Sequence, residues 1–146
     1  MIPDVNVVVA AARPDHLHHA QARAWWLDAL QGATAERPIY LLPAVISGFL
    51  RIVTHPKIFD APSIIEAAAG HIDALLALSN VAVLEMPTRW SNFKQLCIDK
   101  SVSGNAIHDA WIASTVTQHS EHLVTFDKDF RKLLSRSQVT VLKGQA

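Results

Sequence analysis

The stretch from Asn105 to Phe130 constrains the fold more than any other, because within it a helical pattern passes almost directly into a strand pattern. Ile107, Ala110, Trp111 and Val116 recur at helical spacing and predict a helix over residues 106–118. His122-Leu-Val-Thr-Phe is a short β-branched and aromatic run, which predicts a buried strand. Asp127 and Asp129 follow at its C-terminal end, where open parallel sheets place their ligand crevice. Asp109 lies in the first turn of the preceding helix. A helix that feeds a strand returns the chain to the sheet, so Asp109 and Asp127 are expected to meet. Taken singly, each has a plainer explanation. Asp109 suits the positive end of a helix dipole, and Asp127 suits the opening of a turn.

A third acid, at the other end of the chain, shifts that balance. Asp4 interrupts the apolar start Met1-Ile-Pro-Asp-Val-Asn, where a carboxylate is costly unless it is paired, hydrogen-bonded or bound to a metal. Ile2 to Val5 is too short for a helix and reads as a first, central strand with Asp4 at its C-terminal edge. Asn6 is the expected cap of a short helix over Val7 to Ala12, although Asp4 can itself serve as a cap.

Asp4-x-Asn6, His108-Asp109-Ala110 and Leu123-Val-Thr-Phe-Asp127-Lys-Asp129-Phe130 together resemble the PIN domain. The segment Leu42-Pro-Ala-Val-Ile-Ser-Gly-Phe-Leu-Arg-Ile-Val-Thr-His-Pro resembles the VapC toxins of bacterial toxin–antitoxin pairs. The resemblance covers nearly the whole chain in order and spacing. It implies a three-layer α/β/α sandwich with a mostly parallel central sheet, formed as a single domain over residues 1–146. It implies an endoribonuclease that uses Mg²⁺ or Mn²⁺ to cut single-stranded RNA and leaves the phosphate on the 5′ end. It also implies a VapB-type antitoxin as partner, a homodimer and a cytoplasmic location. The family carries a glutamate just before Phe49-Leu50-Arg51, where this chain has Gly48.

Composition narrows the class further. Half of the 146 residues are hydrophobic, 18% are charged and the formal net charge is zero. With no polybasic tail, affinity for nucleic acid must come from a local patch rather than a global field. The single cysteine, Cys97, excludes an internal disulfide and reads as a core thiol among Phe93, Leu96 and Ile98. Nothing resembles a signal peptide, and no run approaches the roughly 20 apolar residues of a membrane helix.

Between the termini the elements alternate. Asp15 is expected to cap a helix running to Leu30, with Ala20, Ala24, Trp25 and Leu27 facing inward. His16, His18 and His19 at its start read as structural or solvated groups rather than zinc ligands, since only His16 and His19 share a face. Ile39 to Leu42 is a strand, and Pro43 starts a helix reaching Thr54. Arg51, His55 and Lys57 stand open to two readings, the solvated basic end of that helix or a phosphate-binding rim. Ser63 and Glu66 match a capping box. Val81 to Leu84 is a buried strand, Pro87 opens a helix to Lys100, a helix spans Arg131 to Leu134, and Val139 to Leu142 is an edge strand. Trp25, Trp26 and Trp90 suit either the core or a partner surface.

The acids define the expected chemistry. Like charges packed together need a counterion, and oxygen-only donors favour a hard cation. Asp4, Asp109 and Asp127 are the candidate catalytic and metal-binding residues, with Asp129 as a further metal candidate. Asn6, Thr125 and Asn105 are placed to support them. A haloacid-dehalogenase-like phosphatase also has an Asp after its first strand, but it needs a second Asp where this chain has Asn6. A PIN-fold module that binds RNA or antitoxin without cutting is the other alternative, and Gly48 favours it.

Overall fold

An apolar run opens the chain, but only two of its residues extend as strand. In this computed structural model, which describes residues 1–85 and 89–144 of the chain, β1 covers Ile2–Pro3 and helix α1 covers Val5–Ala12. The strand therefore stops short of Val5, and the cap is Asp4 rather than Asn6. The Asp4 carboxylate accepts the Val5 N–H at 2.8 Å, satisfying one of the donors a helix start leaves open. The remaining elements are α2 (His19–Gly32), β2 (Ile39–Leu41), α3 (Pro43–Val53), α4 (Ile65–Leu76), β3 (Val81–Val83), α5 (Trp90–Asp99), α6 (Ala106–Gln118), β4 (Leu123–Thr125), a 3-10 turn (Lys128–Lys132) and β5 (Val139–Val141). The 3-10 turn replaces the helix expected over Arg131 to Leu134. Pro87, the expected start of α5, lies outside the described residues.

All strand pairs among the described residues are parallel. β4 lies between β1 and β5, and β2 pairs with β3. The two ladders meet where Tyr40 N–H donates to the Met1 carbonyl at 2.9 Å. The resulting order is β3-β2-β1-β4-β5. From β1 the chain steps outward through β2 to β3, then returns across the sheet to β4. Parallel crossovers are right-handed, so this reversal sends α1–α4 to one face and α5–α6 to the other. Helix packing agrees: α1 packs on α2 and α3, α3 packs on α4, and α5 packs on α6. The α/β/α layering implied by the sequence resemblance is thus present. The order reverses between β1 and β4, and a crevice opens outside the strand ends at such a switch point.

The core lies between the sheet and the helices. Ile2, Leu41, Val45, Phe49, Leu123 and Phe130 are all fully buried. Phe130 is the anchor of the 3-10 turn; truncating such a phenylalanine costs roughly 3–5 kcal/mol. The α5–α6 face is thinner, for α5 has no fully buried residue. Cys97 sits on α5 and is only half-buried, not a core thiol. Trp26 is core, Trp25 is half-buried and Trp90 is exposed.

One side chain accounts for two misplaced caps. Arg13 donates to Asp15 through Nε and Nη2 at 2.9 and 2.7 Å, to the Ser63 hydroxyl through Nη1 at 3.0 Å, and to the Ala61 carbonyl at 2.8 Å. Its guanidinium also lies 4.2 Å over the Phe59 ring. Asp15 is thereby engaged, and α2 starts at His19 instead. Ser63 is likewise taken, so α4 begins after Ile64 with no side-chain cap and the Ser63–Glu66 box does not form. With the start of α2 displaced, its buried residues are Ala22, Trp26 and Ala29, while Ala20, Ala24 and Leu27 face solvent.

Candidate metal centre

The switch point is furnished by the residues that end β1 and β4. Pro3 pairs with Val124, and Asp4 N–H donates to the Val124 carbonyl at 2.8 Å. This register sets Asp4 beside Thr125. The Thr125 hydroxyl donates to Asp4 Oδ2 at 2.7 Å and accepts from Asn6 Nδ2 at 3.2 Å and from the Asp127 N–H at 2.9 Å. A hydroxyl has one proton and two lone pairs, so this one is saturated. The Asn6 carbonyl oxygen accepts the Phe126 N–H at 3.2 Å, tying the first turn of α1 to the end of β4. Asp127 in turn caps the 3-10 turn by accepting the Asp129 N–H at 2.9 Å.

Asp109 reaches the same place from the first turn of α6. It is half-buried, and its carboxylate accepts no hydrogen bond among the described residues. Burial, reinforced by the charges of Asp4 and Asp127, pushes its pKa up to about 6, with Asp129 adding slightly and His108 opposing. Burial also raises the pKa of Asp4; the Thr125 hydroxyl and Val5 N–H pull it back, and Asp127 pushes it up again. Asp129 is well exposed and lies 3.5 Å from Lys132, a surface pair of little energetic value.

A cleft of about 390 Å³ opens onto the acids, lined by Asp109, Asp127, Asp129, Asn105, Lys100, Lys132 and neighbouring loop residues. Asp4, only 6% exposed, lies outside that lining. The structure thus gathers Asp4, Asp109, Asp127 and Asp129 at one end of the sheet, close enough to feel one another's charge. It does not set three of them into direct ligand distance of one point among the described residues, so a preformed three-carboxylate cage is absent. Mg²⁺ commonly keeps several waters and takes only one or two carboxylates directly, so this all-oxygen donor set fits a hydrated hard cation.

Other candidates fall elsewhere. Arg51 is exposed in the last turn of α3, with His55 and Lys57 beyond it, and none lines the carboxylate cleft. His16 accepts the His18 N–H, His19 donates to the Ala10 carbonyl, and His18 stacks on Phe126 with centroids 4.8 Å apart. Gly48 is a close-approach position. A Cβ there would lie 2.8 Å and 3.2 Å from the two Val5 methyl carbons, so Val5 closes the place a larger side chain would need. Sequence reading missed Lys100 and Lys132 in the cleft wall. For Lys132 the signal was the run Lys128-Asp-Phe-Arg-Lys132 directly after Asp127.

Carboxylates gathered at the switch point of a short parallel sheet define a class, and comparison with known proteins agrees: residues 1–134 match the PIN domain. The VapC ribonuclease Mb2897 of Mycobacterium bovis is 35% identical over 130 residues, covering 88% of this chain and 86% of that protein. Ribonuclease VapC25 of Mycobacterium tuberculosis is 31% identical, with 90% and 92% covered. The chain therefore belongs to the PIN-domain family, among the VapC ribonucleases. At the level of fold alone, the structure of VapBC2 from Rickettsia felis bound to a DNA fragment from their promoter superposes with a TM-score of 0.69, 14% identity, and 97% and 98% coverage. No helix among the described residues is long and apolar enough to cross a membrane.

Proposed function

We propose that this chain is the toxin of a VapBC-type pair, an endoribonuclease that uses Mg²⁺ or Mn²⁺ to cut single-stranded RNA in the cytoplasm. The observation that carries the reading is the meeting of Asp4 and Asp127 on one Thr125 hydroxyl, with Asp109 near enough to feel both charges. Asp4, Asp109 and Asp127 would hold the cation, and Asp129 would join through water or a second ion. A bound cation supplies a nucleophilic water at neutral pH and neutralises charge on the phosphate.

The chain's own residues have separable tasks. Thr125 and the Val5 N–H fix Asp4 in one orientation, and Asn6 keeps Thr125 in place. The Asp129 N–H steadies Asp127. Burial and the acidic neighbours raise the pKa of Asp109, and a cation held beside it would keep its carboxylate ionised. Asn105 supplies a neutral polar group to the cleft wall. The relatives' names support the ribonuclease assignment, and the VapBC2 neighbour supports a VapB-type antitoxin as partner.

Gly48 favours the second reading, a PIN-fold module that binds RNA or antitoxin without cutting, because Val5 leaves no room for a fourth acid there. One pair of measurements separates the readings. Purified wild-type chain is expected to bind Mn²⁺ in a calorimeter and to cut RNA in a gel assay, and Asp4→Asn is expected to do neither. Undiminished cleavage by Asp4→Asn removes Asp4 from the mechanism, and cation binding with no cleavage by the wild type supports the module.

A further inference from the structure

A second cleft adjoins the carboxylate cleft across the 3-10 turn. It measures about 610 Å³ and is lined by Arg131, Leu134, Ser135, Arg136, Val139 and Val141. The turn and its C-cap are the shared wall: Lys132 and Leu133 line the acidic cleft, whereas Arg131 and Leu134 line the basic one.

Charge distinguishes the two sides. The chain is neutral overall, yet residues 128–143 hold Lys128, Arg131, Lys132, Arg136 and Lys143 against the single acid Asp129. Asp129 is paired with Lys132. The guanidiniums of Arg131 and Arg136 have no ion pair or hydrogen bond among the described residues. Two exposed, uncompensated guanidiniums around one cleft attract an anion that can engage them in paired hydrogen bonds, and phosphate has that geometry. Val139 and Val141 add an apolar strip beneath.

We propose that this cleft binds the phosphate backbone of the substrate RNA beside the cut, with the strand crossing the 3-10 turn from the carboxylates to Arg131 and Arg136. The inference rests on the nuclease reading above and adds the strand's path to it. An acidic peptide satisfies the arginines equally well. A phosphodiester chain is favoured because the adjoining cleft needs a cation, which draws the next phosphate along the same strand. This cleft supplies the local patch that a neutral chain requires, at a place Arg51, His55 and Lys57 do not occupy.

The test uses the full chain carrying Asp4→Asn, so that RNA is bound without being consumed, and follows anisotropy of a fluorescein-labelled single-stranded RNA across a salt series. Adding Arg131→Glu and Arg136→Glu together is expected to weaken binding by at least about tenfold at low salt and to flatten the log–log salt slope by about 1.4, two phosphate contacts at ~0.7 each. Arg131→Lys with Arg136→Lys is expected to keep most of the slope. The melting temperature is expected to stay unchanged, since both residues are exposed. In the otherwise wild-type chain, the charge reversal is expected to raise KM and leave kcat. Unchanged affinity and slope overturn the proposal. Loss of polyglutamate binding with RNA binding intact also overturns it and makes the cleft a peptide site. If the wild-type chain neither binds nor cuts RNA, the nuclease reading falls as well; if the reversed variant cuts with normal KM, only the strand path falls.

Discussion

Asp4 and Asp109 serve the same proposed centre but are held in opposite ways. Asp4 is 6% exposed, caps α1 and has both carboxylate oxygens engaged at 2.8 and 2.7 Å. Asp109 is half-buried, stands on a helix packed against α5, which has no fully buried residue, and accepts no hydrogen bond among the described residues. Burial raises the pKa of both, but only Asp4 receives donors in return. One acid is oriented before any ion arrives. The other is a charge near its neighbours without local compensation, and it is the part of the centre that a cation would settle.

The largest test of this contrast is removal of the hydroxyl that organises Asp4. Thr125→Val keeps volume but strands the Asp4 oxygen, the Asn6 amide and the Asp127 N–H. Cleavage is expected to fall by about 10–100-fold, the usual cost of losing a residue that orients a metal ligand. The apo chain is also expected to melt lower, because buried groups lose their partner. Rescue of both properties by Thr125→Ser, which restores the hydroxyl, checks that orientation rather than shape is responsible.

Packing at the start of α1 gives the next effect. Gly48→Glu introduces the acid that the PIN resemblance implies at this position, yet its Cβ would lie 2.8 Å from a Val5 methyl. Overpacking of this kind costs about 1–3 kcal/mol, so a lower melting temperature and no gain in Mn²⁺ affinity are expected. Adding Val5→Ala should recover stability, and a double-mutant cycle would measure the coupling.

The smallest effect on stability carries the opposite sign. Asp109 has a folded pKa of about 6 against an ordinary 3.8. The folded chain thus holds its proton where the unfolded chain has lost it. Without metal, this group's contribution to stability is full below the ordinary value and disappears as pH rises through about 6. Asp109→Asn is therefore expected to raise the apo melting temperature at pH 7 slightly, to flatten its pH dependence and to abolish cleavage. Melts from pH 4 to pH 8, with and without Mn²⁺, would show it. A lower melting temperature for Asp109→Asn would equate the two acids and end the comparison.

Much of this was legible in the sequence because the signals were local. Pro43 marked the start of α3, the helical spacing around Ala110 and Val116 placed α6, and the run His122-Leu-Val-Thr-Phe placed β4, which is shorter by one residue at each end. The acids stood out because charge inside apolar runs demands a reason. What stayed hidden depended on contacts between distant segments. Asp15 and Ser63 look like caps until Arg13 takes both. The meaning of Gly48 resides in Val5, on another helix. Arg131 and Arg136 look like solvated residues until the 3-10 turn and β5 enclose a cleft between them.

The Thr125–Asp4 hydrogen bond joins positions 121 residues apart in the chain. A polypeptide emerging N-terminus first cannot form it until β4 has left the ribosome. During translation Asp4 emerges long before Thr125, and until then it has no partner with which to make a working centre. If the proposed nuclease is correct, the fold itself delays its appearance. RNA near the nascent chain is shielded from its activity until β4 has been made, before any antitoxin has to act.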